Sequence, residues 1–264
     1  MQRDVGPVLV RAEGAAFDQG VAQGVARRRE IALHLRKLRR RFGLLGWLEG
    51  VRHANRGPFR SLCDHLPQHH ERLRGIALGA GTWVGSLAIA GVATRVGGVG
   101  SARGGELEAR LEIPAELEPL MLLRRSKPDA VGFASVELGC AHWPGSVAGV
   151  NERGLAVIVL EDRDAAEPTL RTLAQELLLR GETLDSAVEH LRRRARYAGG
   201  TGTLLIADAK RRAARLLLRE GSLSDAGLLP EQTANPAEST VRLDGPARTL
   251  SWTAGDGNEY TVQP

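Results

Sequence analysis

Apolar positions recur at two different periods along this chain. Phe17, Val21 and Val25 are four apart, and Ile31, Leu35, Leu38, Phe42 and Leu45 alternate steps of four and three. That stripe predicts a long amphipathic helix. Val8 to Val10 is a short run suited to a strand, separated from the helix by Gly14. A connection around Asn55-Arg56-Gly57-Pro58 leads to a second helix over about Phe59 to Ala77, followed by a hinge at Gly79-Ala80-Gly81. From about residue 90 the texture becomes strand-like. Gly91 to Val96, Leu120 to Leu123, Ala134 to Leu138 and Gly154 to Leu160 read as strands, the last the most buried. Thr169 to Leu179 and Leu184 to Arg194 form an amphipathic helix pair, with Gly181 placed to stop the first and Thr183 to cap the second. Strands at Thr203 to Ala207 and Ala214 to Leu218 follow, with Asp208 to Arg212 as their turn. This order suggests sheets covered by helices on their outer faces. It is read as one domain spanning 1–264, helical over about 14–90 with a sandwich core over about 91–264.

Composition narrows the classes. With 42% apolar residues in 264, the chain is long enough for a substantial core. No apolar run approaches the roughly 20 residues needed to span a bilayer, and Met1-Gln2-Arg3-Asp4 lacks the layout of a signal peptide. The expectation is a cytoplasmic protein without membrane association. The two cysteines, Cys63 and Cys140, provide neither a disulfide framework nor a paired metal site, so reduced thiols are expected. The net charge of +5 is concentrated locally: Arg27, Arg28, Arg29, Arg36, Lys37, Arg39, Arg40 and Arg41 share the first long helix. They read as a solvated face, or as a contact for nucleic acid or another polyanion, with nucleic acid the weaker reading.

Other candidate chemistry is sparse. His65 and His69 stand at i and i+4, a chelating spacing, but without the Glu of the metalloprotease motif or a third ligand. Cys140 and His142 are two apart on an expected strand and would share a face there. Such a pair can make a thiolate, although a free cysteine is commonly a small buried hydrophobe. Gly97 to Gly105 lacks the spacing of either phosphate-binding fingerprint and reads as a flexible turn.

Three segments, in order, carry a resemblance. Glu13-Gly14-Ala15-Ala16-Phe17-Asp18-Gln19-Gly20, continuing to Gly24, is one. Glu71-Arg72-Leu73-Arg74-Gly75-Ile76-Ala77-Leu78-Gly79-Ala80-Gly81 is the second and the most specific. Trp143-Pro144-Gly145-Ser146-Val147-Ala148-Gly149-Val150-Asn151-Glu152-Arg153-Gly154-Leu155-Ala156-Val157 is the third. Together they resemble the acyl-coenzyme A:6-aminopenicillanate acyltransferase-like family of N-terminal-nucleophile hydrolases, in divergent and shortened form, over roughly residues 8 to 236. The resemblance implies an α+β fold, the αββα four-layer sandwich. It also implies autoproteolysis and action on amide bonds of small molecules, with acyl thioesters as substrates only, and no metal and no bound cofactor. Members continue for many tens of residues past the position of Asn235, whereas this chain ends within thirty, which implies fewer substrate-pocket walls.

In that family a cysteine at the start of a strand attacks the preceding peptide bond, and its freed amine then serves as base. If Thr94 is placed on the family's threonine, Ala93 falls at the cysteine position, which implies a non-catalytic protein that retains the fold and binds a ligand or partner. A shift of one residue makes Thr94 itself the nucleophile. Carried over in the same way, Glu112 corresponds to the acidic residue near the nucleophile, or is an exposed strand carboxylate. Asn151 corresponds to an oxyanion donor, or is the support of the turn before Gly154. Asn235 matches the second asparagine, although Pro236 stands where the family has His.

Overall fold

Helix α1 (Ala16–Ala26) and helix α3 (Pro67–Ala80) cross with their backbones in contact, because each presents glycine to the other. A methyl group on Gly20 would lie 2.1 Å from the Arg72 carbonyl oxygen, and one on Gly24 would lie 2.4 Å from that of Ile76. In the other direction, Gly75 would meet the Phe17 carbonyl at 2.0 Å and Gly79 that of Val21 at 2.4 Å. Four glycines spaced by four on two helices therefore interlock, and any side chain would push the axes apart. Gly81 ends α3 in the left-handed conformation, at φ +67°. Between these two, α2 (Arg28–Arg56) kinks at Gly43. Helix α4 (Val84–Ala93) follows α3.

The computed structural model describes residues 8–56, 64–93, 95–129, 131–162, 169–197, 201–219, 221–225, 239–254 and 258–264. The fold is mixed α+β with two sheets. The larger runs β1 (Val8–Gly14), β4 (Met121–Pro128), β5 (Ser135–Cys140), β6 (Ala148–Asn151), β7 (Ala156–Glu161), β8 (Gly202–Ala207), β9 (Ala213–Arg219) and β10 (Ser222–Asp225), antiparallel except for the parallel pair β1 and β4. The smaller runs β13 (Glu259–Val262), β12 (Thr249–Thr253), β11 (Ser239–Asp244), β3 (Glu106–Glu112) and β2 (Gly97–Arg103).

Burial separates the layers. Strands β5, β6, β7 and β8 are buried at every position, as a sheet covered on both faces requires. Ala156, Ile158 and Leu160 join the core shared with Leu107, Ala109 and Leu111 of β3, while Leu155, Val157 and Val159 pack with α5 (Thr169–Arg180) and α6 (Leu184–Arg194). The small sheet alternates instead. Its inward residues Val241, Leu243, Leu250 and Trp252 are buried, whereas Glu106, Glu108, Arg242, Thr249 and Ser251 point outward. Among the described residues no helix packs extensively on that polar face. No single described helix is long and apolar enough to cross a membrane; α3 and α4 pass that test only as a pair bent by 110°.

Two local expectations are corrected. The described residues of Gly91 to Val96 form no strand, since residues 91–93 end α4 and β2 begins at Gly97. Helix α4 is apolar all round, so period alone cannot separate it from a strand. Its Gly91 lies flat against the Trp143 ring, where a methyl would come within 2.3 Å. The stretch from Gly97 is not a flexible turn but strand β2, paired along its length with β3. Gly100 lets it pass close beneath β8, for a methyl there would lie 2.7 Å from Leu205 Cδ1. The expected second helix is described as Pro67–Ala80, after helical residues 64–65; its expected start at Phe59 lies outside the described residues. The helix pair behaves as its spacing predicts, with the Thr183 side chain accepting from the Ser186 amide at the start of α6.

Candidate functional site

A recess of about 400 Å³ opens where β2 begins, lined by Arg95, Gly97, Glu112, Ile113, Pro114 and Glu161. Three elements make it. Strand β2 brings Gly97 opposite Glu112, the last residue of β3, and β7 ends there with Glu161. A methyl on Gly97 would lie 3.7 Å from Glu112 Oε2 and 3.5 Å from the Glu161 carbonyl oxygen, so the absent side chain keeps the entrance open. Glu112 is exposed, and Glu161 is buried.

Glu161 is fixed from two sides. Its Oε1 accepts from Arg171 Nε at 3.0 Å, and its Oε2 from the Val96 amide at 3.2 Å. Arg171, fully buried on α5, also donates to the Gly91 carbonyl at 3.3 Å and contacts Cys140 Sγ at 3.7 Å. Burial works against its cation, but Glu161 and Cys140 more than offset that and hold its pKa above the ordinary value. This one guanidinium therefore ties α5 to β7, to the end of β5 and to the last turn of α4, immediately before the recess. The sequence reading missed both partners. Glu161 had a signal, as the carboxylate that ends an unbroken apolar run.

The residues picked out from sequence are distributed as follows. Thr94 lies outside the described residues, flanked by Ala93 at the end of α4 and Arg95 in the recess wall. Glu112 is in the recess. Asn151 is not. It sits at the end of β6 beside the start of β7, whereas the recess is at the end of β7, six residues of strand or roughly 17–20 Å away. Its amide is fully committed: Nδ2 donates to the carbonyls of Leu178 and Gly181 at 2.9 and 2.8 Å, and Oδ1 accepts from the amides of Arg153 and Leu155, both at 3.0 Å. That is the turn-supporting arrangement, extended to anchor the C-terminus of α5. Asn235 and Cys63 lie outside the described residues.

Cys140 and His142 do not form a pair. Strand β5 ends at Cys140, whose thiol lies 3.7 Å from Met121 Sδ, and burial pushes that thiol up despite Arg171. His142 falls in the following turn, bonded to the Ala90 backbone and 5.3 Å from the His34 ring. His65 and His69 diverge as well, the first stacking on Tyr197 at 4.0 Å and the second facing Glu176 at 3.3 Å. Arg27 leaves the basic helix face altogether, being buried with a hydrogen bond to the Met121 carbonyl.

No protein-family model matches the chain, and no curated protein is significantly similar to it.

A second polar cluster lies between the large sheet and its helices. Arg124 of β4 and Glu137 of β5 are cross-strand partners, both fully buried, joined through Nε at 2.8 Å. Gln23 of α1 accepts from Arg124 at 2.9 Å and donates to the carbonyls of Cys140, Ala141 and Trp143. Ser135 and Ser146 donate to the Glu137 carboxylate. Burial raises that carboxyl, but Arg124, Arg72 and the two hydroxyls outweigh it and hold it at about 2. Gln23 is thus the reason α1 seats on the sheet in one orientation, and its polar contacts replace those that water would make.

Proposed function

We propose that the chain is a non-catalytic relative of the N-terminal-nucleophile acyltransferases and amidases, with the sandwich retained for binding. Two stacked, largely antiparallel sheets with helices outside the larger one support three layers of the αββα arrangement, which is the fold type proposed. The observation that carries the functional reading is the chemistry of the recess at the start of β2. Its described side chains are one guanidinium, two carboxylates, an isoleucine and a proline, with no thiol or hydroxyl among them. Gly97, at the first position of the strand, has no side chain to attack a carbonyl, and Ala93 has only a methyl.

A second reading has one observation in its favour. Thr94 is covalently next to Arg95, which lines the same recess as Glu112, so a threonine freed between Ala93 and Thr94 would begin its chain beside a carboxylate. Such a protein would be an amide hydrolase or N-acyltransferase with Thr94 as nucleophile and its amine as base. Intact mass of the purified protein, measured beside a Thr94→Ala variant, separates the two. One species near 28.4 kDa in both is expected. Two fragments split between Ala93 and Thr94, absent from the variant, would replace the binding reading with the catalytic one.

A further inference from the structure

We propose that a second recess, bounded by the first turn of α1, the first turns of α3 and the last turn of α5, is a seat for a small monocarboxylate. Its deep wall is Arg72 of α3, only 2% exposed. The Arg72 Nη2 donates to Ser126 Oγ at 3.3 Å, and Nη1 faces Gln175, whose amide satisfies its neighbours only when its oxygen is turned toward Arg72. Both acceptors are neutral. Among the described residues no carboxylate comes within ion-pairing distance of Arg72, and its Nε–H has no partner. A buried cation without a counter-ion is costly. Glu137 acts on Arg72 only through space and is itself bonded to Arg124. Burial first, and then Arg124, push Arg72 down to about 9, so it remains charged at neutral pH.

Other groups converge on the same space. Gly14, Ala15 and Ala16 line it at the N-terminus of the 11-residue α1, where Ala15 supplies no side-chain acceptor to the first-turn amides. Such amides favour an anion. Gln19 lines it too, and half-exposed Arg180 of α5 stands at the edge, bonded to Gln68 Oε1 at 3.1 Å and 3.6 Å from the carboxylate of buried Glu176. Gln175 presents its nitrogen to His69 Nδ1 at 2.9 Å and to the Pro144 carbonyl at 2.6 Å, which orients its oxygen toward Arg72.

Size and charge select the ligand. The volume of about 230 Å³ is below the roughly 300–1,000 Å³ of pockets for drug-sized molecules, so a small acid fits. The recess also carries the exposed carboxylate of Asp129, with Asp18 of the first turn of α1 beside it; their Oδ2 atoms lie 3.5 and 3.7 Å from where a methyl on Gly14 would be. That negative charge at the rim disfavours a phosphate dianion and leaves a single carboxylate, held by Arg72 in the planar geometry that guanidinium and carboxylate share. The seat uses no residue of the recess at the start of β2.

The experiment is isothermal titration of the full chain with sodium propionate and, separately, with inorganic phosphate, at ionic strength held constant with chloride. Propionate is expected to bind saturably, and roughly tenfold or more weakly to Arg180→Gln and Arg72→Met, with Glu112→Gln unchanged. Should Arg72→Met fail to fold, the partly exposed Arg180 and Gln19→Leu carry the comparison. Absence of saturable propionate binding, equal binding by wild type and Arg180→Gln, or tighter binding of phosphate than of propionate would each overturn the assignment. None of these readouts depends on whether the chain cleaves amides or itself.

Discussion

Replacing Gly20 with alanine tests the helix crossing that seats α1 and α3. By helix propensity alone the change should stabilise by about 1 kcal/mol. The geometry predicts the opposite sign. The new methyl would stand 2.1 Å from the Arg72 carbonyl and 2.9 Å from the Ile76 amide nitrogen, both backbone atoms of the opposing helix. Relief requires the axes to part by about 1 Å, a gap that forfeits a quarter to a half of each dispersion contact it spans. Overpacking of this kind costs about 3 kcal/mol at the upper end of its usual range, so after the propensity gain the net loss is about 2 kcal/mol. Gly75→Ala should cost as much, because its methyl would lie 2.0 Å from the Phe17 carbonyl and 3.0 Å from Gly20 Cα itself. The two sites share one crossing point. Once either methyl has separated the helices, the second has less to disrupt, so the double variant should fall short of the sum by about 1 kcal/mol or more. Gly46→Ala in α2 is the control, since a methyl there would meet only Phe42 Cβ, at an ordinary 3.6 Å, and it should stabilise. Urea unfolding followed by circular dichroism measures all four. Stabilisation by Gly20→Ala comparable to that by Gly46→Ala would refute the close crossing.

Asn151→Ala removes two hydrogen bonds donated by Nδ2 and two accepted by Oδ1, all with buried or partly buried backbone groups. It should destabilise by about 2–4 kcal/mol and raise hydrogen exchange at the Arg153 and Leu155 amides; a loss under about 1 kcal/mol would mean the turn holds without it. Glu137 is depressed from 4.5 to about 2, so the unfolded chain takes up its proton first on acidification. Its contribution is full above pH 4.5 and is lost as pH falls from there through about 2. Glu137→Gln should therefore be less stable at neutral pH and show a flatter acid limb in that window, whereas parallel pH profiles would remove Glu137 from the acid response. Arg171→Met should unseat Glu161 and the last turn of α4 together, leaving an uncompensated buried carboxylate and costing about 3–5 kcal/mol. Retention of wild-type thermal stability would show that the Glu161–Arg171 pair is not what closes that corner.

The three motifs behind the family resemblance were legible because packing constrains them. Gly20, Gly24, Gly75 and Gly79 are the helix crossing, and Gly145 and Gly149 lie against Arg171 and Leu178 of α5, where a methyl would come within 2.5 Å. Asn151 holds the turn before Gly154 by its hydrogen bonds, one of the two tasks the sequence leaves open for it. The helix pair was readable from period and cap. What could not be read locally depends on partners distant in sequence. Arg124 and Glu137 look like the outward positions of two alternating strands until registration sets them opposite each other beneath Gln23. Arg72 reads as an ordinary helix arginine beside Glu71 and Arg74, and only the crossing with α1 shows that it is inside. Strand β2 was hidden by the glycines that allow it to form against β8.

The open polar face of the small sheet has a consequence for how this sequence can vary. Outward positions such as Glu106, Glu108, Arg242 and Ser251 touch solvent on one side, while their neighbours Leu107, Val241 and Leu250 fill the interior. In a saturation mutagenesis scan, tolerance along β3, β11 and β12 should therefore oscillate with period two, allowing polar exchange at every second residue. Along β5 to β8, enclosed on both faces, no such oscillation should be seen, and drift in the sequence would be confined to swaps of similar volume.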